Sequence, residues 1–215
     1  MTAVLAGTTN HQSELLTGTI SALLALSRLF IGGGEELSRT LAELGKSCQC
    51  LGRDLPGLLE IRESLENHVQ AQPLEFQQMC FEFNRLFVGP ASPPAPPYES
   101  IYLSPDRLVM QEQTLAVRQS YQAENLMSVC QGSAPDDFIA AELEFAAYLL
   151  SRLREESSAG NSSKASKYRH LFNTFMEEHP RRWLPEFAAI VRENTQHPVF
   201  LPVMQVLLST IQLSF

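Results

Sequence analysis

Basic residues are few in this chain of 215 residues: 16 Lys and Arg stand against 24 Asp and Glu, a formal charge of -8. That balance repels a phosphate backbone, which speaks against nucleic acid as a ligand, and it favours basic partners. Cysteine is also scarce. Cys48, Cys50, Cys80 and Cys130 are too few for a disulfide scaffold and are expected as thiols in a reducing compartment. The close pair in "CQC" lacks a second pair of ligands at a zinc-like spacing, so no metal site is assigned. The five histidines, His11, His68, His170, His179 and His197, show no HExxH-type pairing. "IGGGEE" has neither the lysine nor the hydroxyl of a phosphate-binding loop, and no GxSxG elbow is present. No catalytic residue and no cofactor is assigned. The start "MTAVLAGTTNHQSE" lacks the basic head and apolar stretch of a secretory signal, and no later run reads as apolar enough to cross a bilayer. The expectation is a cytoplasmic protein without stable membrane insertion.

Alternating, strand-like segments are almost absent, whereas apolar residues recur at helical spacing along most of the chain. The pattern predicts an all-α fold, one globular domain of roughly nine or ten helices. Leu16, Ile20, Leu23, Leu24, Ser27 and Phe30 mark a first helix that Gly32 to Gly34 stop, and Leu37, Leu41 and Leu44 a second ending near Gly45. Leu55, Leu58, Leu59 and Leu65 suggest a third. Phe76, Met79, Cys80, Phe83, Leu86 and Phe87 form one apolar stripe on a fourth, with Glu75, Glu82 and Arg85 left to water and Gly89-Pro90 as the stop.

Further on, "QEQTLAVRQSYQAEN" reads as a helix carrying Leu115, Val117 and Tyr121. Pro135 is placed to open a long helix through Ile139, Leu143, Ala146, Leu150 and Leu153. On that reading Asp136 and Asp137 complement the helix dipole, and Glu142 and Glu144 are solvated rather than an acid/base pair. Small polar residues over 156–167 predict a flexible loop or hinge, and three more helices follow.

Five prolines fall within eight residues in "GPASPPAPPYESIY": Pro90, Pro93, Pro94, Pro96 and Pro97. Composition alone offers a stiff linker between helices. Phe83 and Phe87 on one side, with Tyr98 and Tyr102 on the other, offer instead the walls of a groove for a partner's apolar segment.

The stretch "EFNRLFVGPASPPAPPYESIY" resembles the E-x-x-x-LF-x-GP segment, followed by PPY or PPW, of the TorD/DmsD family of chaperones that mature redox enzymes before export. "PDDFIAAELEF" is similar to that family's Pro-(Glu/Asp)-Asp-His segment, and "HP…W…F…HPVF" from His179 to Phe200 to the tail of its DmsD-like branch. The resemblance runs from Glu82 to Phe200. It implies an all-helical, non-catalytic, cytosolic chaperone that binds the twin-arginine signal peptide of a molybdenum-cofactor reductase and holds the apoenzyme until cofactor insertion. Carried over by position, the binding surface would be Phe83, Leu86, Phe87, Gly89, Pro90, Pro96, Pro97, Tyr98, Glu99, Asp136 and Asp137. Asp137 stands where the family has histidine, so a role that needs an imidazole is lost and a basic ligand gains a carboxylate. The resemblance also implies a monomer or a domain-swapped dimer hinged at 156–167. The alternatives are a nucleotide-dependent regulatory switch and a non-catalytic helical adaptor.

Overall fold

The structure is a computed structural model that describes residues 2–90, 92–128 and 132–215, with side chains from residue 11 onward. Cys130 lies outside the described residues. Among the described residues ten α-helices follow one another: α1 (Thr2–Gly32), α2 (Leu37–Leu51), α3 (Gly57–Val69), α4 (Pro73–Phe83), α5 (Glu99–Leu103), α6 (Glu112–Ala123), α7 (Ile139–Ser158), α8 (Ser162–Glu178), α9 (Pro180–Asn194) and α10 (Phe200–Ile211). No strand forms among the described residues; one isolated antiparallel bridge joins Tyr98 to Phe138. The all-α expectation holds.

Two long helices, α1 and α7, pack on each other at the centre; α2 lies on α1 with α3 on α2, α8 lies on α7, and α9 joins α8 to α10, which packs on α3, α1 and α2. The apolar stripe of α1, including Leu16, Leu23, Leu26 and Leu29, is buried. Part of residues 11–51 is, by length and composition alone, long and apolar enough to span a bilayer, which corrects the expectation that no run is. In this fold most of that stretch is covered by protein. Helix α7 is buried nearly all round between Ile139 and Leu150, and small residues make this possible: Ala140, Ala141, Ala146 and Ala147 let neighbouring helices approach.

The glycine run stops α1 as expected, through a single 3-10 turn at Gly33–Glu36. Gly33 sits at φ +75°, and a Cβ on Gly34 would lie 2.7 Å from the Cα of Cys80, so the turn rests directly on α4. Gly45 does not end α2, which runs on to Leu51. Burial of Leu44, Cys48 and Leu51 on one face outweighs the roughly 1 kcal/mol that an interior glycine costs.

Helix α4 continues into a π turn at Asn84–Val88, closed by a hydrogen bond from the Gly89 N–H to the Asn84 carbonyl and stopped by Gly89 at φ 60°. Its stripe buries Met79, Phe83, Leu86 and Phe87. Glu82, expected in water, is buried: it accepts from the Arg85 guanidinium at 2.8 and 2.9 Å, the Thr195 hydroxyl at 3.1 Å and the Gln196 N–H. Burial works against ionisation there, but these donors hold the carboxyl below its ordinary range. Over 156–167 the chain is not an open loop. Helix α7 reaches Ser158, α8 begins at Ser162, and Asn161 donates to Glu156 at 2.8 Å across the short connection.

Candidate functional site

The proline segment is a strap drawn across the body. Prolines have no N–H to offer, so the segment is held mainly through its carbonyls and its few other residues. The Ala95 N–H donates to the Leu86 carbonyl at 3.0 Å. The Ile139 N–H reaches the Pro97 carbonyl and the Glu99 N–H the Asp137 carbonyl, each at 3.0 Å. Ala95 and Pro97 point inward and are buried, Pro96 and Tyr98 are half-buried, and Pro90 is exposed. The strap thereby fixes the start of α5 against the start of α7.

Most of the side chains expected to meet a ligand are inside the protein. Phe83, Leu86 and Phe87 are buried, and the Phe87 ring lies 5.2 Å from Phe30, 5.0 Å from Phe83 and 5.7 Å from both Phe187 and Phe200. They are core, not a groove wall, because the π turn keeps the α4 stripe aimed at α1, α9 and α10. Tyr98 packs on Phe138 at 5.4 Å and Tyr102 on Trp183 at 5.1 Å.

The carboxylates also depart from expectation. Helix α7 starts at Ile139, not at Pro135, so Asp136 and Asp137 sit in the turn before it. Asp137 is fully buried: its Oδ2 accepts the Ser100 N–H in the first turn of α5, and its Oδ1 the Thr114 hydroxyl of α6, both at 2.8 Å. It is a helix cap between two elements. Glu99 is buried beside His179, whose Nδ1 lies 3.0 Å from its Oε2. Glu142, expected in water, has no exposure at all and accepts the Trp183 indole N–H on Oε2 at 3.0 Å.

Burial, then the neighbouring Glu99 carboxyl, pushes Glu142 well above the ordinary carboxylate range. Its Oε1 has no donor among the described residues. A proton on that oxygen, directed to Glu99, satisfies both groups, so Glu142 is neutral in the folded chain. The consequence for stability has a definite sign. In the unfolded chain Glu142 ionises near the ordinary value of 4.5. Above that pH the folded state holds a proton that the unfolded state has released, so stability declines as pH rises, by up to about 1.4 kcal/mol per pH unit. The Glu142→Gln variant, which keeps an acceptor for Trp183, is expected to flatten this slope between pH 5 and 7. Urea unfolding at several pH values measures it, and an unchanged slope would refute a neutral Glu142.

Asp136, itself buried, is the predicted site residue that lines a cavity. A cavity of about 420 Å³ is lined by Met110, Gln111, Thr114, Leu115, Arg118, residues 132–135 and Asp136. Met110 and Leu115 of this lining are exposed, as are Leu108 and Val109, which precede Met110 in the chain. Arg107 and Met110 take left-handed backbone conformations, φ 50° and 61°, which residues with side chains adopt at a cost. The Arg118 Nε donates to Asp136 Oδ2. Arg118 is 47% exposed and Asp136 5%, so the arginine is the lid of the pair. The polar network formed by Glu142, His179, Trp183, Thr114 and Arg118 was missed from sequence. The alanines flanking Glu142 were its one available signal.

Residues 53–189 match the family model described as nitrate reductase delta subunit. A Tat proofreading chaperone DmsD of Haemophilus influenzae is 30% identical over 111 residues, which cover 52% of this chain and 47% of that protein. A chaperone protein TorD of Aliivibrio fischeri is 24% identical over 198 residues, 92% of this chain and 88% of its own. The chain thus spans about half the length of the DmsD relatives it matches. The crystal structure of an Archaeoglobus fulgidus protein described as a redox enzyme maturation protein superposes with a TM-score of 0.56 at 21% identity, covering 90% of this chain and 94% of the other. That likeness establishes the fold.

Proposed function

The chain belongs to the family described as nitrate reductase delta subunit, the TorD and DmsD chaperones among its relatives, and from that premise we propose that it is a non-catalytic chaperone for a redox-enzyme precursor. It binds the twin-arginine signal peptide of a molybdenum-cofactor reductase and holds the apoenzyme until cofactor insertion and export. The observation that carries this reading is the cavity beside α6, an apolar rim of Met110 and Leu115 next to the Asp136–Arg118 pair. A twin-arginine signal offers a cationic end followed by an apolar segment, and this surface offers a carboxylate next to an apolar rim. An incoming guanidinium can replace Arg118 on Asp136 in the same charge-assisted geometry, so the exchange leaves no buried charge unpaired. The overall charge of -8 favours the encounter. The strained backbone at Arg107 and Met110 supports the same location, because such strain collects where function holds it.

The test is a calorimetric titration with a signal peptide carrying Arg-Arg and an apolar segment. Leu115→Asp is expected to weaken binding at least tenfold. Leu115 is exposed, so the melting temperature should stay within the small range of surface substitutions. Undiminished binding by this variant would move the site elsewhere.

A further inference from the structure

A second depression, of about 200 Å³, lies between the end of α6, residues 126–128 and α7. Its walls are Tyr121, Leu126, Met127, Phe145 and Tyr148, and Glu144 stands among them. The Tyr121 and Phe145 rings meet edge to face at 4.9 Å, and Tyr148 lies parallel to Phe145 at 6.1 Å. Glu144 is half-buried and makes no hydrogen bond or ion pair among the described residues. Burial alone raises its carboxyl above the ordinary range.

Charged groups on the adjoining elements do not meet this carboxylate, because they are already engaged. Lys167 of α8 binds Glu124 at 2.7 Å, Arg152 binds Glu155 at 2.6 Å and Glu156 at 3.2 Å, and Arg118 binds Asp136. An acid sunk into an aromatic crevice without a partner costs desolvation and returns nothing to the fold, unless a cation arrives from outside.

The shape of the crevice selects the kind of cation. A guanidinium is flat and weakly hydrated, stacks on tyrosine and phenylalanine, and grips a carboxylate with two parallel N–H groups. A lysine ammonium is compact and strongly hydrated, and loses more on entering an apolar wall. Arg118 and Tyr121 are one turn apart on α6, so the crevice and the Asp136 cavity are adjacent along that helix.

We propose that the Glu144 crevice is an arginine subsite, in which Glu144 takes the guanidinium of one arginine of the bound peptide and the half-buried Tyr148 ring stacks on its plane. This rests on the twin-arginine reading above and adds where arginine is told from lysine.

Titration of the full chain with the Arg-Arg peptide and with its Lys-Lys counterpart is the test, together with L-arginine methyl ester followed by NMR. Glu144→Gln is expected to weaken the Arg-Arg peptide roughly ten- to a hundredfold and to erase most of the preference over Lys-Lys. Because Glu144 has no partner among the described residues, this variant should melt at the same temperature as the parent or higher, which a structural role would not allow. Glu144→Gln binding the Arg-Arg peptide as tightly as the parent overturns the subsite and leaves the chaperone reading standing. Binding of the methyl ester that depends on Glu144, in a chain indifferent to the peptide, supports the subsite and removes the twin-arginine reading. Failure of both ligands to bind overturns both.

Discussion

Replacing Asp137 by alanine is expected to lower the unfolding free energy by about 2–4 kcal/mol, the cost of leaving two buried donors without an acceptor. Those donors are the Ser100 N–H and the Thr114 hydroxyl, both buried with Asp137 and both 2.8 Å from its carboxylate. The loss also frees the start of α5 from α6, so the strap that ends at Tyr98 loses its anchor. Denaturant unfolding of Asp137→Ala beside Asp136→Ala separates the two neighbours. Asp136 is paired with a half-exposed arginine, and its replacement should cost less stability and more peptide affinity. Equal stability losses would show that the cap at Asp137 has been overvalued.

Truncating Phe87 to alanine should cost about 3–5 kcal/mol, as expected for a large aromatic removed from a packed core. Four rings from α1, α4, α9 and α10 surround it at centroid distances of 5.0 to 5.7 Å, and backbone relaxation cannot close a hole bounded by four elements. A ligand-facing phenylalanine would behave in the opposite way, losing binding while leaving the urea midpoint where it was. The same measurement on Phe83→Ala should give a similar loss.

Much of the helical order was legible because burial imposes a 3.6-residue period, which the α4 stripe from Phe76 to Phe87 and the residues from Ile139 to Leu153 on α7 both show. Helix limits were less legible. Gly45 looked like a stop because local propensity is visible and the tertiary burial of Leu44, Cys48 and Leu51 is not. The segment at 156–167 looked open because serine, glycine and asparagine favour turns, yet only Ala159 to Asn161 were needed for one. Glu142 looked solvated because a charged residue favours water, whereas its burial rests on the Trp183 indole 41 residues away. Four alanines on the same helix mark close packing around most of the first half of α7, the side of Glu142 included. The pairing of Glu99 with His179, 80 residues apart, left no trace in local pattern. In the candidate site the motif residues are mostly buried, because the π turn that follows α4 keeps its stripe aimed at the core, which local pattern does not show. Phe83, Leu86, Phe87 and Asp137 hold the strap and its helices, while the open positions are on α6 and the turns around it.

The most direct test of this account is backbone amide NMR of the chain during addition of a twin-arginine signal peptide. The account predicts shifts concentrated in residues 108–118, 126–128, 132–136 and 144–148, saturating together at one affinity. Shifts centred instead on Phe83, Phe87 and Gly89, with those surface segments unmoved, would contradict it.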